Sequence, residues 1–356
     1  MKRTLFTYCS LFAALVTSPL LAEIQPETVL DNLSNPAGVA VQPNTGHVFV
    51  SDSAAGRVIR VVEGKLEEVI TGFPKDVYGK GPKYDIGPLG LTFIDEETLV
   101  VGGGGLPDGE ELLRVYTIPK AGQPAIDAAK MTAELAPLSA DDKIKGEGNF
   151  YGVAVTSKGI FVTCNGDDEQ GWIAKVTISF SKPSQDEKEQ SDDEFISKRQ
   201  FSDFERFIAT KTSVEKDAPT AITISPRGEL VIGQMGEITE AGDSLLTFYD
   251  PQTHKMLLSL PTNVSDIVGL AYSPDSERLY AVDFSWHDTK QGALYRLDAI
   301  RRNGRQAVNP TKMVDLDKPT ALAFAPDGTL YITVFGTAEE GSDKPAGKLL
   351  KIPSGL

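Results

Sequence analysis

Six stretches of the chain alternate apolar and polar residues, then pass through a tight polar turn into a second apolar run with a glycine-rich or acidic tip. They begin at Pro36 (PAGVAVQPNTGHVFVSD), Pro88 (PLGLTFIDEETLVVGG), Tyr151 (YGVAVTSKGIFVTCNGD), Pro219 (PTAITISPRGELVIGQ), Val268 (VGLAYSPDSERLYAVD) and Pro319 (PTALAFAPDGTLYITV). A period of two puts alternate side chains on opposite faces of a strand, so pairs such as Val39 and Val41, or Ile222 and Ile224, predict one inward-facing row per stretch. The turns Pro43-Asn44-Thr45-Gly46, Ser157-Lys158-Gly159, Pro226-Arg227-Gly228, Pro274-Asp275-Ser276 and Pro326-Asp327-Gly328 are hairpin sequences. A third strand follows in most copies, at Arg57–Val61, Leu112–Tyr116, Leu294–Leu297 and Lys348–Ile352, and a fourth at positions such as Leu66–Ile70.

A four-stranded unit recurring every 50 to 70 residues or so is the signature of a propeller blade. The sixth copy ends after its third strand, while Glu27-Thr28-Val29-Leu30 precedes the first copy and has no other partner. The expected fold is therefore all-β: a six-bladed β-propeller closed by the N-terminal strand completing the last blade, which removes the open edges. One charged, apolar-poor insert at 181–203 (SKPSQDEKEQSDDEFISKRQFSD) falls between the third and fourth strands of blade three and reads as a solvated excursion.

Strand order also nominates a working face. Connections from first to second strands are uniformly short. The long polar and aromatic connections, among them 71–87, 102–110, 139–150, 234–243, 284–292 and 335–347, share the other face, around the mouth of the central channel. The positions at the channel entry are mostly apolar or hydroxyl-bearing, as at the starts of five of the first strands: Leu89, Tyr151, Thr220, Val268 and Thr320.

Composition narrows the setting. Lys2 and Arg3 lead into an apolar stretch from Leu5 to Leu21 that ends at Ala22, the pattern of a signal peptide over residues 1–22, which leaves a single domain over 23–356. The expectation is an exported protein, periplasmic or extracellular, with no transmembrane segment in the mature chain. Cys164 is then the single thiol left, so intramolecular disulfides do not hold the fold, and its strand setting reads as a small buried apolar residue. Net charge is −15, or −17 without Lys2 and Arg3, and such a surface argues against nucleic acid as a partner.

Candidate chemistry gathers at the tips on the long-loop face. Asp52, Asn165, Asp167, Gln234 and Asp283 lie at or just past the ends of second strands, and Glu147 approaches blade three from the preceding connection. Asn165, Asp167 and Asp283 are oxygen donors suited to calcium or another divalent cation; Asp52, Glu147, Gln234 and Trp286 are candidate ligand-binding groups. In Asp283-Phe284-Ser285-Trp286-His287-Asp288, an imidazole between carboxylates makes His287 a candidate general base. His47 begins a second strand after a tight turn on the opposite face, His254 lies in a turn, and three histidines so separated form no zinc site. The Gly102–Gly105 run precedes no helix and so makes no phosphate loop.

The repeated form, with Val268-Gly269-Leu270-Ala271-Tyr272 running on to Tyr280-Ala281-Val282-Asp283 as its fullest example, resembles NHL-repeat propellers and the wider SMP-30/gluconolactonase and strictosidine-synthase-like group. That resemblance implies the propeller fold and, in its lactonase members, a metal-dependent hydrolase. Asp283 matches the acidic ligand of those members, whereas Val268 stands where they carry a ligand Asn. The first blade also resembles quinone-dependent sugar dehydrogenases of propeller form, but their early catalytic His has no match. Two functions follow as expectations. The first is an exported propeller that binds a small molecule or an exported protein on the long-loop face without catalysis. The second is a metal-dependent lactonase- or esterase-like hydrolase.

Overall fold

The computed structural model describes residues 24–79, 81–141, 143–165, 171–181, 198–202, 204–216, 218–342 and 344–356. The signal peptide expected at 1–22, Asp167 and the middle of the charged insert lie outside the described residues. Six sheets radiate from a central channel, each of antiparallel strands apart from Ile126–Asp127, which adds parallel to the outer strand of blade one. Their innermost strands are Pro36–Val41, Leu91–Phe93, Phe150–Thr156, Pro219–Ile224, Ile267–Tyr272 and Pro319–Phe324. Each starts within three residues of the start expected from the hydrophobic pattern. Blade six runs Pro319–Phe324, Leu330–Val334 and Gly347–Ile352, and Glu27–Leu33 pairs antiparallel with the last of these. The N-terminal strand thus closes the ring, as its unpaired apolar residues required.

The innermost strands present one edge to the channel, and their buried carbonyls need donors. Hydroxyl side chains supply several of these from the neighbouring blade. Ser51 Oγ donates to the Leu89 carbonyl, Thr163 Oγ1 to Thr220, Thr220 Oγ1 to Ile267 and Thr320 Oγ1 to Pro36, at 2.5, 3.0, 2.6 and 2.6 Å. Across the channel, the Tyr151 hydroxyl of blade three donates to the Thr320 carbonyl of blade six at 2.9 Å.

Such close approach explains the glycine of the repeat. A Cβ at Gly38 would overlap the Leu89 carbonyl oxygen, and one at Gly90 the Tyr151 carbonyl oxygen. Between blades, side chains from facing sheets form continuous apolar layers; Phe49, Leu99 and Tyr116, for example, pack with Val58 and Ile70.

First-to-second turns are short throughout, and one long connection folds on itself. Between blades one and two, Asp76–Tyr78 and Tyr84–Ile86 pair as a small hairpin outside the six blades. The insert of blade three begins and ends in another ribbon, Ile178–Ser181 with Lys198–Phe201.

Leu33 on the closing strand is 1% exposed, so truncation there opens a cavity in the seam of blade six. Leu33→Ala should lower unfolding free energy by about 2–5 kcal/mol in urea titration. Met256→Ala, on an outer strand with 39% exposure, should cost well under half of that. Equal costs would mean that the closing strand is not part of the cooperative fold.

Candidate functional site: an aromatic cup at the channel mouth

The long-loop face carries a cup of 530 Å³, part of it open to solvent, at the channel mouth. Two rings of equivalent positions build it. The residue near the start of each innermost strand supplies the floor: Ala37, Leu89, Tyr151, Thr220, Val268 and Thr320. The residue just past a second strand supplies the wall in blades three to six, as Asn165, Met235, Phe284 and Phe335. Tyr78 and Tyr84 of the extra hairpin reach over from the opposite side. Tyr84 lies 5.1 Å from Phe335, 5.6 Å from Trp286 and 5.9 Å from Phe284 between ring centroids, and Tyr78 lies 6.2 Å from Trp286. Trp286 tilts 34° against Phe284 at 4.6 Å. These rings make one connected aromatic wall.

Polar groups in the cup are few and mostly engaged. Thr220 and Thr320 donate to inter-blade carbonyls, and Tyr151 to Thr320. Asn165 is 7% exposed; its Nδ2 stands 3.5 Å from the Tyr78 hydroxyl, and its Oδ1 is buried without a protein partner. Asn149, in the left-handed backbone conformation at φ 52°, completes the lining beside Tyr151. Among the described residues, no Lys, Arg, His, Asp or Glu lines the cup.

The sequence candidates separate into two sets. Asn165 and Trp286 line the cup. Asp52, Gln234 and Asp283 share a different task, each fastening the connection that enters its blade. Asp52 accepts from Ser34 N at 2.5 Å and pairs with Arg57 at 2.7 Å, and Gln234 Nε2 donates to the Lys216 carbonyl at 3.1 Å. Asp283 accepts from Asp266 N at 2.8 Å, Ser285 N at 2.9 Å and Ser265 N at 3.4 Å. Its carboxylate is thus engaged by three backbone donors.

Glu147 is buried near the Cys164 thiol, whose ionisation is suppressed first by burial and then by the Glu147 charge; that thiol is no nucleophile. His287 is exposed and outside the cup, although its neighbour Trp286 is in it. Among the described residues, no three His, Cys, Asp or Glu side chains gather as a metal site, and Asn165 and Asp283 do not come together in the cup.

Tyr78, Tyr84, Phe335 and Asp266 were not singled out from the sequence. The repeat does signal Phe284 and Phe335, which occupy the same place in blades five and six. Asp266 is fully buried behind the cup, and its Oδ2 accepts from Trp286 N at 2.6 Å. Burial pushes its carboxyl up to about 8, against the pull of the Trp286 N–H, with the Asp283 and Asp243 charges adding to the rise.

No protein-family model matches the chain, and no curated protein matches it by sequence. Solved structures do match its fold. An oxidoreductase from Thermus thermophilus, described as a glucose dehydrogenase, superposes with a TM-score of 0.58 at 19% identity, over 92% of this chain and 99% of that one. The PQQ-bound aldose sugar dehydrogenase of Streptomyces coelicolor gives 0.54 at 13%, over 92% and 96%. A gluconolactonase from Xanthomonas campestris gives 0.54 at 12%, over 94% and 91%. At such identities the likeness shows the fold, the six-bladed propeller shared with the gluconolactonase group. The expectation of a non-catalytic binding propeller is corrected here, because these three structures of the same fold are named as enzymes and give that reading no support. Among the described residues, no helix is long and apolar enough to cross a membrane.

An acid whose native pKa lies above its ordinary 3.8 binds its proton more tightly folded than unfolded. The stabilisation from Asp266 is therefore complete below about pH 4 and is lost as pH rises through about 8. The urea midpoint of the wild-type protein should fall more between pH 5 and pH 9 than that of Asp266→Asn, while the exposed Asp31→Asn control should track the wild type. Parallel profiles for all three would remove the buried acid from the account.

Proposed function

We propose that this chain is an exported enzyme that hydrolyses a small ester or lactone in the aromatic cup. Asn165 is the group that holds the reacting carbonyl or the attacking water. The observation that carries this reading is the Asn165 amide: the residue lines the cup, and its Oδ1 is buried with no partner in the protein. Rotated by half a turn, the same side chain offers an N–H₂ there instead. An amide held in a water-poor site is worth most where charge develops on an acyl oxygen. In the reaction, water adds to the acyl carbon and the acyl carbon–oxygen bond breaks; an ester gives an acid and an alcohol, a lactone a single hydroxy acid. It consumes one water and requires no redox partner.

The printed activities of the fold's relatives include this class, as gluconolactonase, and sugar oxidation. The cup distinguishes them. PQQ carries several carboxylates, and the described lining presents no cationic side chain to receive them. That cofactor does not fit the residues present. A divalent cation does not fit the described residues either: Asp283 is engaged by backbone donors, and no cluster of acidic or imidazole ligands forms. No step here runs through either group. Export rests on the leader pattern at 1–22.

The purified protein should hydrolyse phenyl acetate or a simple lactone, measured by proton release. Asn165→Leu should lower kcat/KM by about 100-fold or more, the loss seen when a single developing-charge donor is removed, with unchanged thermal unfolding. An undiminished rate in Asn165→Leu, or no hydrolysis by the wild-type protein across esters and lactones, would overturn this function.

A further inference from the structure

We infer that the substrate of this cup is an uncharged, flat ring bearing one hydrogen-bonding group, and not a sugar, an ion or a polyol; the inference rests on the cup being the substrate site. The cup is strongly two-sided. One side is the connected wall of Tyr84, Trp286, Phe284 and Phe335, whose faces and edges suit another planar ring. From blade three, beside Tyr78 of the hairpin, comes the Asn165 amide, whose Oδ1 is buried without a partner in the protein. A molecule spanning the two needs a ring at one end and one donor or acceptor at the other.

The floor argues against a polyol. A sugar brings several hydroxyls, and each one desolvated without a partner costs about 1–3 kcal/mol. Yet the Thr220, Thr320 and Tyr151 hydroxyls already donate to backbone carbonyls, and those same bonds fasten the blades together. They cannot donate to a ligand without loosening the ring, and Thr220 and Thr320, at 2% and 1% exposure, leave little acceptor surface open. Ala37, Leu89 and Val268 complete the floor with apolar atoms.

Charge is excluded by the same surroundings. No described lining residue carries an opposite charge for an anion or a cation, and burying an ion without one is far costlier than burying a hydroxyl. The acid nearest the wall, Asp266, sits behind the backbone of Trp286, fully buried, and does not line the cup. The fold is thus shared with sugar-oxidising and gluconolactone-acting enzymes, while the cup has been refitted for an aromatic or similarly flat neutral molecule.

Binding, measured apart from turnover, tests this. Trp286 reports on the cup, and Trp172→Phe leaves it as the single described tryptophan. In that background, benzyl alcohol should perturb the fluorescence saturably. Benzoate, benzylammonium, glucose and glucono-lactone should bind at least about tenfold more weakly. Asn165→Leu should weaken benzyl alcohol about tenfold and leave toluene unchanged. Calorimetry on the unsubstituted protein should give the same ranking, so a folding defect in either variant does not decide the result. Glucose or an ion binding as tightly as benzyl alcohol, or no saturable binding of benzyl alcohol, would overturn the inference. Benzyl alcohol binding without ester or lactone hydrolysis would sink the hydrolase alone. Hydrolysis of glucono-lactone with no aromatic preference would sink the present inference alone.

Discussion

Carbonyl oxygens on the innermost strands face the central channel, and at four of the six blade boundaries a hydroxyl of one blade answers for its neighbour's. The hydroxyls of Ser51, Thr163, Thr220 and Thr320 do so across the blade boundaries. Where Ser51 joins blades one and two, a Cβ at Gly38 would overlap the Leu89 carbonyl oxygen, and at the next boundary Gly90 meets the Tyr151 carbonyl oxygen just as closely. The repeat motif is thus a consequence of ring closure: small residue, apolar strand, hydroxyl at the partner position. The closing strand Glu27–Leu33 satisfies the same requirement at the outer edge of blade six, where an unpaired edge would otherwise remain.

Because the strands are fixed so tightly, one residue of register decides what a side chain does. At the end of the second strand, Asp52, Gln234 and Asp283 turn back toward the incoming connection and fasten it. One residue later, Asn165, Met235, Phe284 and Phe335 turn into the channel. That parity follows from the pleat, where successive side chains take opposite sides. The sequence makes the acidic and amide tips conspicuous. The apolar residues beside them, which build the cup, look like ordinary ends of strands.

Architecture was legible because it repeats: six hairpins, the short-turn face and the floor positions Leu89, Tyr151, Thr220, Val268 and Thr320 follow from period-two alternation and strand order. The cup wall was less so. Tyr78 and Tyr84 sit in strands of three residues, too short for alternation to register, and they meet Trp286 and Phe335 from more than two hundred residues away. The Asp266 carboxyl was hidden for another reason. Its importance comes from complete burial and from holding the Trp286 N–H, neither of which leaves a mark in local composition.

The same closure that builds the scaffold also sets the chemistry it can host. Hydroxyls committed to inter-blade carbonyls have no proton left to donate to a ligand, so a ring stitched in this way presents a floor poorer in donors than its Thr and Tyr content suggests. Polar recognition must then come from residues outside the stitches, and Asn165 supplies a buried polar atom that meets this condition. Burial that raises Asp266 to about 8 keeps that acid mostly neutral at pH 7, so the group that accepts from the Trp286 N–H is itself uncharged there. A neutral carbonyl brought against the amide would therefore sit in surroundings of low polarity, where one well-placed dipole acts on the developing oxyanion with little competition from solvent.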